Sequence, residues 1–148
     1  MITVWLKHAL TERKLEEIKN TDFYMMLKRL YIDNFRCLVN FELKLDPINL
    51  LLGANGSGKT SVFDVLRRLQ DFLIGDFRVH NVFPVSDLTL WQTGGRQRFE
   101  FEVSAGDDLY TYRLLLERES DRRRMRVFEE RLDLNDKPLF HCKNGMAQ

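Results

Sequence analysis

Cysteine, proline and long apolar runs are all scarce in this sequence. Its 148 residues include three prolines and two cysteines, Cys37 and Cys142, which lie far apart and form no C-x-x-C pair. This pattern argues against a disulfide scaffold and favours a reducing, cytoplasmic compartment. No apolar run approaches the length needed to span a bilayer, so we expect no membrane contact. The N-terminal run at residues 2–6 is too short for the core of a signal peptide.

An excess of charge of either sign is also absent. Lysine and arginine together number 23 and aspartate and glutamate 22, which gives a formal net charge of +1. A globally basic nucleic-acid binder is therefore disfavoured, and any contact with nucleic acid has to come from a local patch. Hydrophobic residues make up 44% of the chain, which is enough for a core and argues against wholesale disorder.

The first half of the sequence predicts an α/β arrangement of strands, a loop and a helix. Leu30–Ile32 is a short apolar run typical of a strand. Four apolar residues alternate with polar ones, as in a half-buried strand: Val39, Phe41, Leu43 and Leu45. Ile48–Leu52 is nearly all apolar, so we expect a core strand buried on both faces. Four apolar residues then repeat at helical spacing, with Gly75 as the expected helix end: Val62, Leu66, Leu69 and Leu73.

The second half predicts an antiparallel β meander. Residues 75–97 are expected to form a loop with one short helical turn from Ser86. Alternating apolar residues from Phe99 to Val103 predict a strand, and further strands are expected over residues 109–117 and 125–134. Turns are expected at residues 105–108 and 135–138, before a short last strand that begins at Leu139.

Residues 53–60 read G-x-x-x-x-G-K-T, which is the spacing of a phosphate-binding P-loop, or Walker A motif. The glycines lack a Cβ, so the backbone can turn sharply and direct successive N–H groups into one concavity. The helix that follows adds the partial positive charge of its N-terminus. Lys59 can reach the β- and γ-phosphates, and the Thr60 hydroxyl is placed to bind Mg²⁺. The sequence therefore predicts ATP and Mg²⁺ as ligands, with Thr60 as the metal ligand.

Residues 27–66, LKRLYIDNFRCLVNFELKLDPINLLLGANGSGKTSVFDVL, resemble the N-terminal lobe of ABC-type AAA ATPase heads of the RecF, SMC and OLD-nuclease group. The likeness rests on an I-x-N-F-R strand end, the alternating strand and G-x-N-G-S-G-K-T-S, and it extends more weakly to Phe140. It implies that Arg36 lies beside the nucleotide, although a solvated strand-end charge is the alternative. Many relatives have serine where this chain has Cys37. The motif and the resemblance assign nine residues to the nucleotide: Arg36, Gly53, Asn55, Gly56, Ser57, Gly58, Lys59, Thr60 and Ser61.

The resemblance implies a P-loop NTPase lobe followed by a β meander, over residues 27–148. Residues 1–26 have no counterpart in it and form an N-terminal extension, with a helix expected over residues 9–20. The family's signature motif, Asp-Glu strand and His switch are not found in the sequence, so no catalytic residue is identified. We therefore expect an incomplete fold, which represents either the N-terminal portion of a longer ATPase or a truncated gene product.

The resemblance leaves two functions open. The first is an ATPase head that couples ATP-driven homodimerisation of the full-length protein to DNA repair or defence, with DNA or a nuclease as partner. The second is a remnant or regulatory module that binds nucleotide without hydrolysing it. A P-loop kinase is disfavoured, because the meander occupies the place of the parallel βα units that a kinase would have.

Two further groups of residues carry weaker signals. A basic cluster at a predicted hairpin could contact DNA phosphates: Arg113, Arg118, Arg122, Arg123, Arg124 and Arg126. Acidic residues interleave with it, so a solvated hairpin is favoured. The three histidines show no metal-ligand spacing.

Overall fold

The computed structural model describes residues 25–75, 77–121 and 124–147. The elements follow in this order: β1 (Met25–Asp33), β2 (Phe41–Lys44), α1 (Lys59–Ile74), α2 (Val79–Val82), a 3₁₀ turn (Val85–Asp87), β3 (Arg96–Ala105), β4 (Asp108–Arg118), β5 (Met125–Leu134), β6 (Lys137–Lys143) and β7 (Met146–Ala147). The helix predicted at residues 9–20 lies outside the described residues. Among the helices of the described part, none has the length and apolar character required to cross a membrane.

The described strands form one seven-stranded sheet in the order β2-β1-β3-β4-β5-β6-β7, and every neighbouring pair is antiparallel. The predicted meander is confirmed, because β3 to β6 are sequential neighbours and contain the expected strands. Asn135 and Asp136, between β5 and β6, have φ values of 47° and 63°. Two consecutive positive φ values are typical of the tight type I′ hairpin turn.

One face of the sheet carries the hydrophobic core, and α1 packs against it. The residues that α1 buries are spaced for a single helix face: Ser61, Val62, Val65 and Leu69. The strands contribute eight side chains to the core: Leu30, Ile32, Phe99, Tyr112, Leu114, Leu116, Met125 and Leu132. Within β1 and β4 these core residues lie two positions apart, so each set points to one face of the sheet. Phe35, in the connection between β1 and β2, and Phe83, directly after α2, complete the core. The helix ends at Ile74, directly before Gly75, as its sequence predicts.

The predicted core strand at Ile48–Leu52 is wrong. These residues adopt no strand conformation and pair with no strand among the described residues. Ile48, Leu50 and Leu52 are 91%, 80% and 80% exposed, whereas the neighbouring Leu51 packs partly against the core. The described sheet is antiparallel throughout and ends at β2, so it offers no parallel neighbour. A parallel core strand forms only where neighbouring strands are available for hydrogen bonding. The apolar character of a segment does not provide those strands.

Several arginines of the meander are paired with carboxylates. Arg126 Nε donates to Glu117 Oε1 at 2.8 Å, and Arg124 Nε donates to Glu119 Oε2 at 2.8 Å. Residues 122 and 123 lie outside the described part of this hairpin. These pairs favour the solvated, ion-paired hairpin that the interleaved charges predict over a phosphate-binding patch.

The core face also carries a buried carboxyl group. Glu130 on β5 is buried, and its Oε1 accepts a hydrogen bond of 2.8 Å from the Tyr112 hydroxyl. Burial raises the pKa of Glu130 above its ordinary value, although the hydrogen bond from Tyr112 opposes this effect. The folded protein therefore retains the Glu130 proton to a higher pH than the unfolded chain does.

Replacing Glu130 with glutamine should stabilise the protein at neutral pH. Ionisation of Glu130 costs no stability well below the ordinary pKa of 4.5, and the cost grows as the pH rises through the folded-state pKa. Glutamine keeps the size and the acceptor for Tyr112 but does not ionise. Thermal unfolding of both proteins should give a larger stabilisation at pH 7 than at pH 4. An equal difference at the two pH values would show that ionisation is not the cause.

Candidate functional site

The loop that precedes α1 curls around the ammonium group of Lys59. The Nζ atom donates to the backbone oxygens of Gly53 and Ala54 at 2.6 and 2.8 Å, and it lies 3.4 Å from Ser57 Oγ. An ammonium group has three donors, and the loop supplies three acceptors for them. The hydrogen bond between Lys59 and Gly53 therefore closes the loop into a ring, with the positive charge of Lys59 at its centre.

Two glycines give the loop its curvature. Gly56 and Gly58 have φ values of 82° and 95°, in the left-handed region that glycine adopts without steric cost. Gly58 is also the N-cap of α1. A Cβ on Gly58 would lie 3.0 Å from Cys37 Sγ and 3.2 Å from Leu38 Cδ2, so these side chains occupy the space beside it. The loop therefore rests directly on the turn that follows β1.

The N-terminus of α1 directly follows the loop, and its N-cap residue, Gly58, makes no side-chain cap hydrogen bond. The first-turn N–H groups of a helix have no partner within the helix, and its dipole places partial positive charge there. The first turn of α1 contains no acidic residue. Thr60 is exposed, whereas Ser61 is buried, with its Oγ 3.7 Å from Cys37 Sγ. Asn55 is exposed in the loop. The helix start therefore offers partial positive charge and the loop holds the charge of Lys59, which is what an anion requires.

The structure places Arg36 in the tight turn between β1 and β2. Its Nε donates to Asp87 Oδ1 at 3.0 Å, and a terminal nitrogen donates to Asp64 Oδ2 at 2.5 Å. These carboxylates, Asp87 first, raise the pKa of the Arg36 guanidinium. Arg36 is therefore an ion-paired group between α1 and the 3₁₀ turn, rather than the solvated strand-end charge that was its alternative.

A buried polar network supports this turn, and sequence reasoning did not find it. Gln97 Nε2 donates to the backbone oxygens of Asn34 and Asp87 at 3.0 and 3.1 Å. The Asn34 side chain accepts from the Thr89 N–H at 3.0 Å and donates to the backbone oxygen of Gly94 at 2.8 Å. All four residues of the network are buried: Asn34, Asp87, Thr89 and Gln97. Polar residues usually lie at the surface, so the sequence carries no signal for this buried network.

Comparisons with known proteins agree with this geometry. The profile of the AAA ATPase domain family matches residues 25–117. The chain is similar to an OLD nuclease from Thermus scotoductus, with 45% identity over 51 residues, 34% of this chain and 9% of that protein. It is also similar to the DNA replication and repair protein RecF of Shewanella loihica, with 43% identity over 60 residues, 38% of this chain and 15% of RecF. RecF of Salmonella typhi is 52% identical over 46 residues, 30% of this chain and 13% of that protein.

The two kinds of match differ in extent. The segment that matches this chain makes up 15% or less of the length of each of these three relatives. The family profile covers β1, the loop of residues 53–58, α1 and nearly all of β4, which is more than half of the chain. It therefore includes both the loop around Lys59 and the turn beneath it, and it identifies the chain as a member of the AAA ATPase domain family.

Proposed function

We propose that this chain is the ATP-binding portion of a RecF- or OLD-like ATPase, with the loop of residues 53–58 as a Walker A motif. The observation that carries the proposal is the position of Lys59. Its ammonium group lies inside the loop, hydrogen-bonded to the backbone oxygens of Gly53 and Ala54, at the N-terminus of a sixteen-residue helix. A triphosphate is the common cellular ligand that suits a concentrated set of N–H donors and one ammonium group.

The residues of the loop fit a phosphate group. Gly56 and Gly58 carry no side chain into the concavity and hold positive φ values, so N–H groups can converge on an anion. Phosphate oxygens would take over the Lys59 donors that the loop oxygens now accept. Asn55 and Ser57 would add donors at the rim, and Ser61 would hold the first turn against Cys37. Arg36 would approach the nucleotide from the turn beneath the loop.

Thr60 fits the role of magnesium ligand. Its side chain is exposed on the first turn of α1, directly after Lys59. Mg²⁺ is generally bound by one or two protein oxygens together with substrate phosphates and waters, so one hydroxyl at this position suffices. When bound, Mg²⁺ would neutralise charge on the phosphate oxygens. This chain would contribute the hydroxyl that orients it.

Replacing Thr60 with valine tests the proposed metal ligand. Valine has nearly the same shape as threonine but lacks the oxygen, so the fold should survive and the contribution of Mg²⁺ to ATP affinity should be lost. Titration calorimetry with and without EDTA should show a strong Mg²⁺ effect in the wild type and little in the variant. Thr93→Val, at an exposed loop position, is the matched control. An equal EDTA effect in wild type and Thr60→Val would exclude Thr60 as the ligand.

The names of the similar proteins suggest the cellular process in which this chain would bind ATP. RecF is described as a DNA replication and repair protein and OLD as a nuclease, so we propose a DNA-associated role in repair or defence. The full-length protein would form a homodimer when ATP is bound, in contact with DNA or a nuclease. Both cysteines are free thiols, which suits work in the cytoplasm. A module that binds nucleotide without hydrolysing it is the second candidate, since the sequence contains no Asp-Glu strand or signature motif.

The segment Ile48–Leu52 supports a role within a larger ATPase. Ile48, Leu50 and Leu52 are spaced two apart and are almost fully exposed, immediately before the phosphate loop. A segment with apolar side chains and an unpaired backbone can serve as a template for the addition of a strand. We propose that a further strand of the same ATPase pairs here, which would bury these side chains and support the phosphate loop from behind.

A further inference from the structure

The structure assigns a role to Asp87, a buried residue outside the phosphate loop. We propose that it is a positioning residue for nucleotide binding, acting through Arg36 on the turn beneath Gly58. The inference rests on the proposed nucleotide site, and its test separates the two. Asp87 is only 6% exposed and ends the 3₁₀ turn before β3, 51 positions from Arg36 in sequence.

Asp87 holds Arg36 by both backbone and side chain. The Arg36 N–H donates to the Asp87 backbone oxygen at 2.7 Å, while Arg36 Nε donates to Asp87 Oδ1 at 3.0 Å. Gln97 Nε2 donates to the same backbone oxygen at 3.1 Å and to that of Asn34 at 3.0 Å. The conformation of Arg36, with φ at 52°, is in the left-handed region that a non-glycine residue adopts only when contacts fix it.

Two residues of α1, the helix that follows the phosphate loop, extend the ion pair of Arg36 and Asp87 into a cluster of four charges. Arg68 of α1 lies 3.0 Å from Asp87 Oδ2, and Asp64 of α1 accepts from Arg36 at 2.5 Å. Asp64 and Arg68 are four residues apart and therefore share one helix face. The order Asp64, Arg36, Asp87, Arg68 alternates in sign, so the cluster is neutral and joins α1, the turn and the segment before β3. Asp87 is the buried member of this cluster, and loss of its partners would leave its charge uncompensated.

The cluster bears on the phosphate loop through the residues that follow Arg36. Cys37 Sγ and Leu38 Cδ2 fill the space where a Gly58 side chain would be, and Cys37 Sγ also lies 3.7 Å from Ser61 Oγ. A displacement of Arg36 would move these side chains and release Gly58 and the first turn of α1. Asp87 therefore determines where the phosphate loop rests without itself contacting the nucleotide.

Replacing Asp87 with asparagine tests this role. The shape and one acceptor are retained but the charge is lost, and we expect Mg-ATP affinity, measured by calorimetry on the full chain, to fall about tenfold. Asp133→Asn is the matched control, because Asp133 is also buried and paired with an arginine, Arg131, on β5. It should leave the affinity unchanged. Unchanged affinity in a folded Asp87→Asn protein would overturn the proposal.

A double-mutant cycle shows whether Asp87 acts through Arg36. Arg36→Gln should weaken Mg-ATP binding, and adding Asp87→Asn should weaken it no further. Additive losses would contradict the proposal, since Asp87 would then act by another route. If Asp87→Asn does not fold, Asp64→Asn on the more exposed side of the cluster serves in the same cycle, with the same two outcomes.

The reactivity of Cys37 gives a readout that does not depend on nucleotide. Cys37 is exposed and Cys142 is buried, so a thiol reagent such as DTNB should report on Cys37 in the folded protein. Asp87→Asn should change the Cys37 reaction rate several-fold, and Asp133→Asn should not. An unchanged rate would contradict the proposal even if the wild type bound no ATP. If the rate changes but neither the wild type nor Lys59→Ala binds ATP, the proposed function fails and the link from Asp87 to the turn stands.

Discussion

Replacing Lys59 with alanine should weaken ATP binding at least about tenfold. A charge-assisted contact to phosphate contributes about 1.5–3 kcal/mol, and about 1.4 kcal/mol corresponds to a tenfold change in affinity. In the structure, Lys59 Nζ donates to the backbone oxygens of Gly53 and Ala54. Phosphate oxygens would replace these acceptors on binding, so part of the free energy of the phosphate contact is offset. The expected loss therefore lies at the lower end of this range.

Calorimetric titration of Mg-ATP into wild type and Lys59→Ala is the direct measurement. Lys137→Ala is the control, because Lys137 is an exposed lysine at the start of β6, after the type I′ turn. Circular dichroism should be the same for all three proteins, since Lys59 contacts only its own loop among the hydrogen bonds that it makes in the described structure. Equal affinities for wild type and Lys59→Ala would reject the phosphate-loop assignment and the proposed function with it.

Replacing Phe99 with alanine should cause the largest loss of stability, about 3–5 kcal/mol. Phe99 on β3 is fully buried, with its ring centroid 5.9 Å from that of Phe35 and 4.9 Å from that of Phe83. Alanine leaves a cavity between two rings that come from different connections, so neither can simply collapse into it. A single domain is typically stable by about 5–15 kcal/mol, and this loss would bring the protein close to unfolding.

Urea denaturation of wild type, Phe99→Ala and Phe63→Ala would measure this loss. Phe63 on α1 is 60% exposed, so its truncation should cost less than about 1 kcal/mol and serves as the control. Because Phe35 belongs to the turn beside Arg36, the Phe99 variant should also bind ATP more weakly where it remains folded. A loss below about 1 kcal/mol for Phe99→Ala would show that the three rings do not form the centre of the core.

The parts of this protein that were predicted correctly are those encoded by consecutive residues. The alternating residues of β3 and the strands β4 and β5 follow from a side-chain period of two, and Gly75 follows directly on the last residue of α1. The glycine spacing of residues 53–58 predicts a curled loop, and positive φ values at Gly56 and Gly58 agree with it. In each case the physical cause acts within a few residues, so the pattern alone reveals it.

The segment Ile48–Leu52 shows where such patterns fail. Its composition is that of a core strand, yet three of its side chains are exposed. Whether an apolar run becomes a buried strand depends on hydrogen-bonding neighbours, and these come from elsewhere in the fold or from another chain. No property of the five residues themselves could have revealed that the described sheet ends at β2.

By itself, the sequence determined the position of the curled loop at residues 53–58, the helix that follows it and the meander. Only the tertiary structure brought Asp87 to Arg36 across 51 positions and set the next two residues, Cys37 and Leu38, against Gly58. Local geometry is fixed by residue type and spacing, because sterics and hydrogen bonding act over a few residues. Contacts between distant polar groups depend instead on how the strands and helices pack. Burial then makes an unpaired charge costly, so the pairing of Arg36 with Asp87 is a consequence of the fold and not of any sequence pattern.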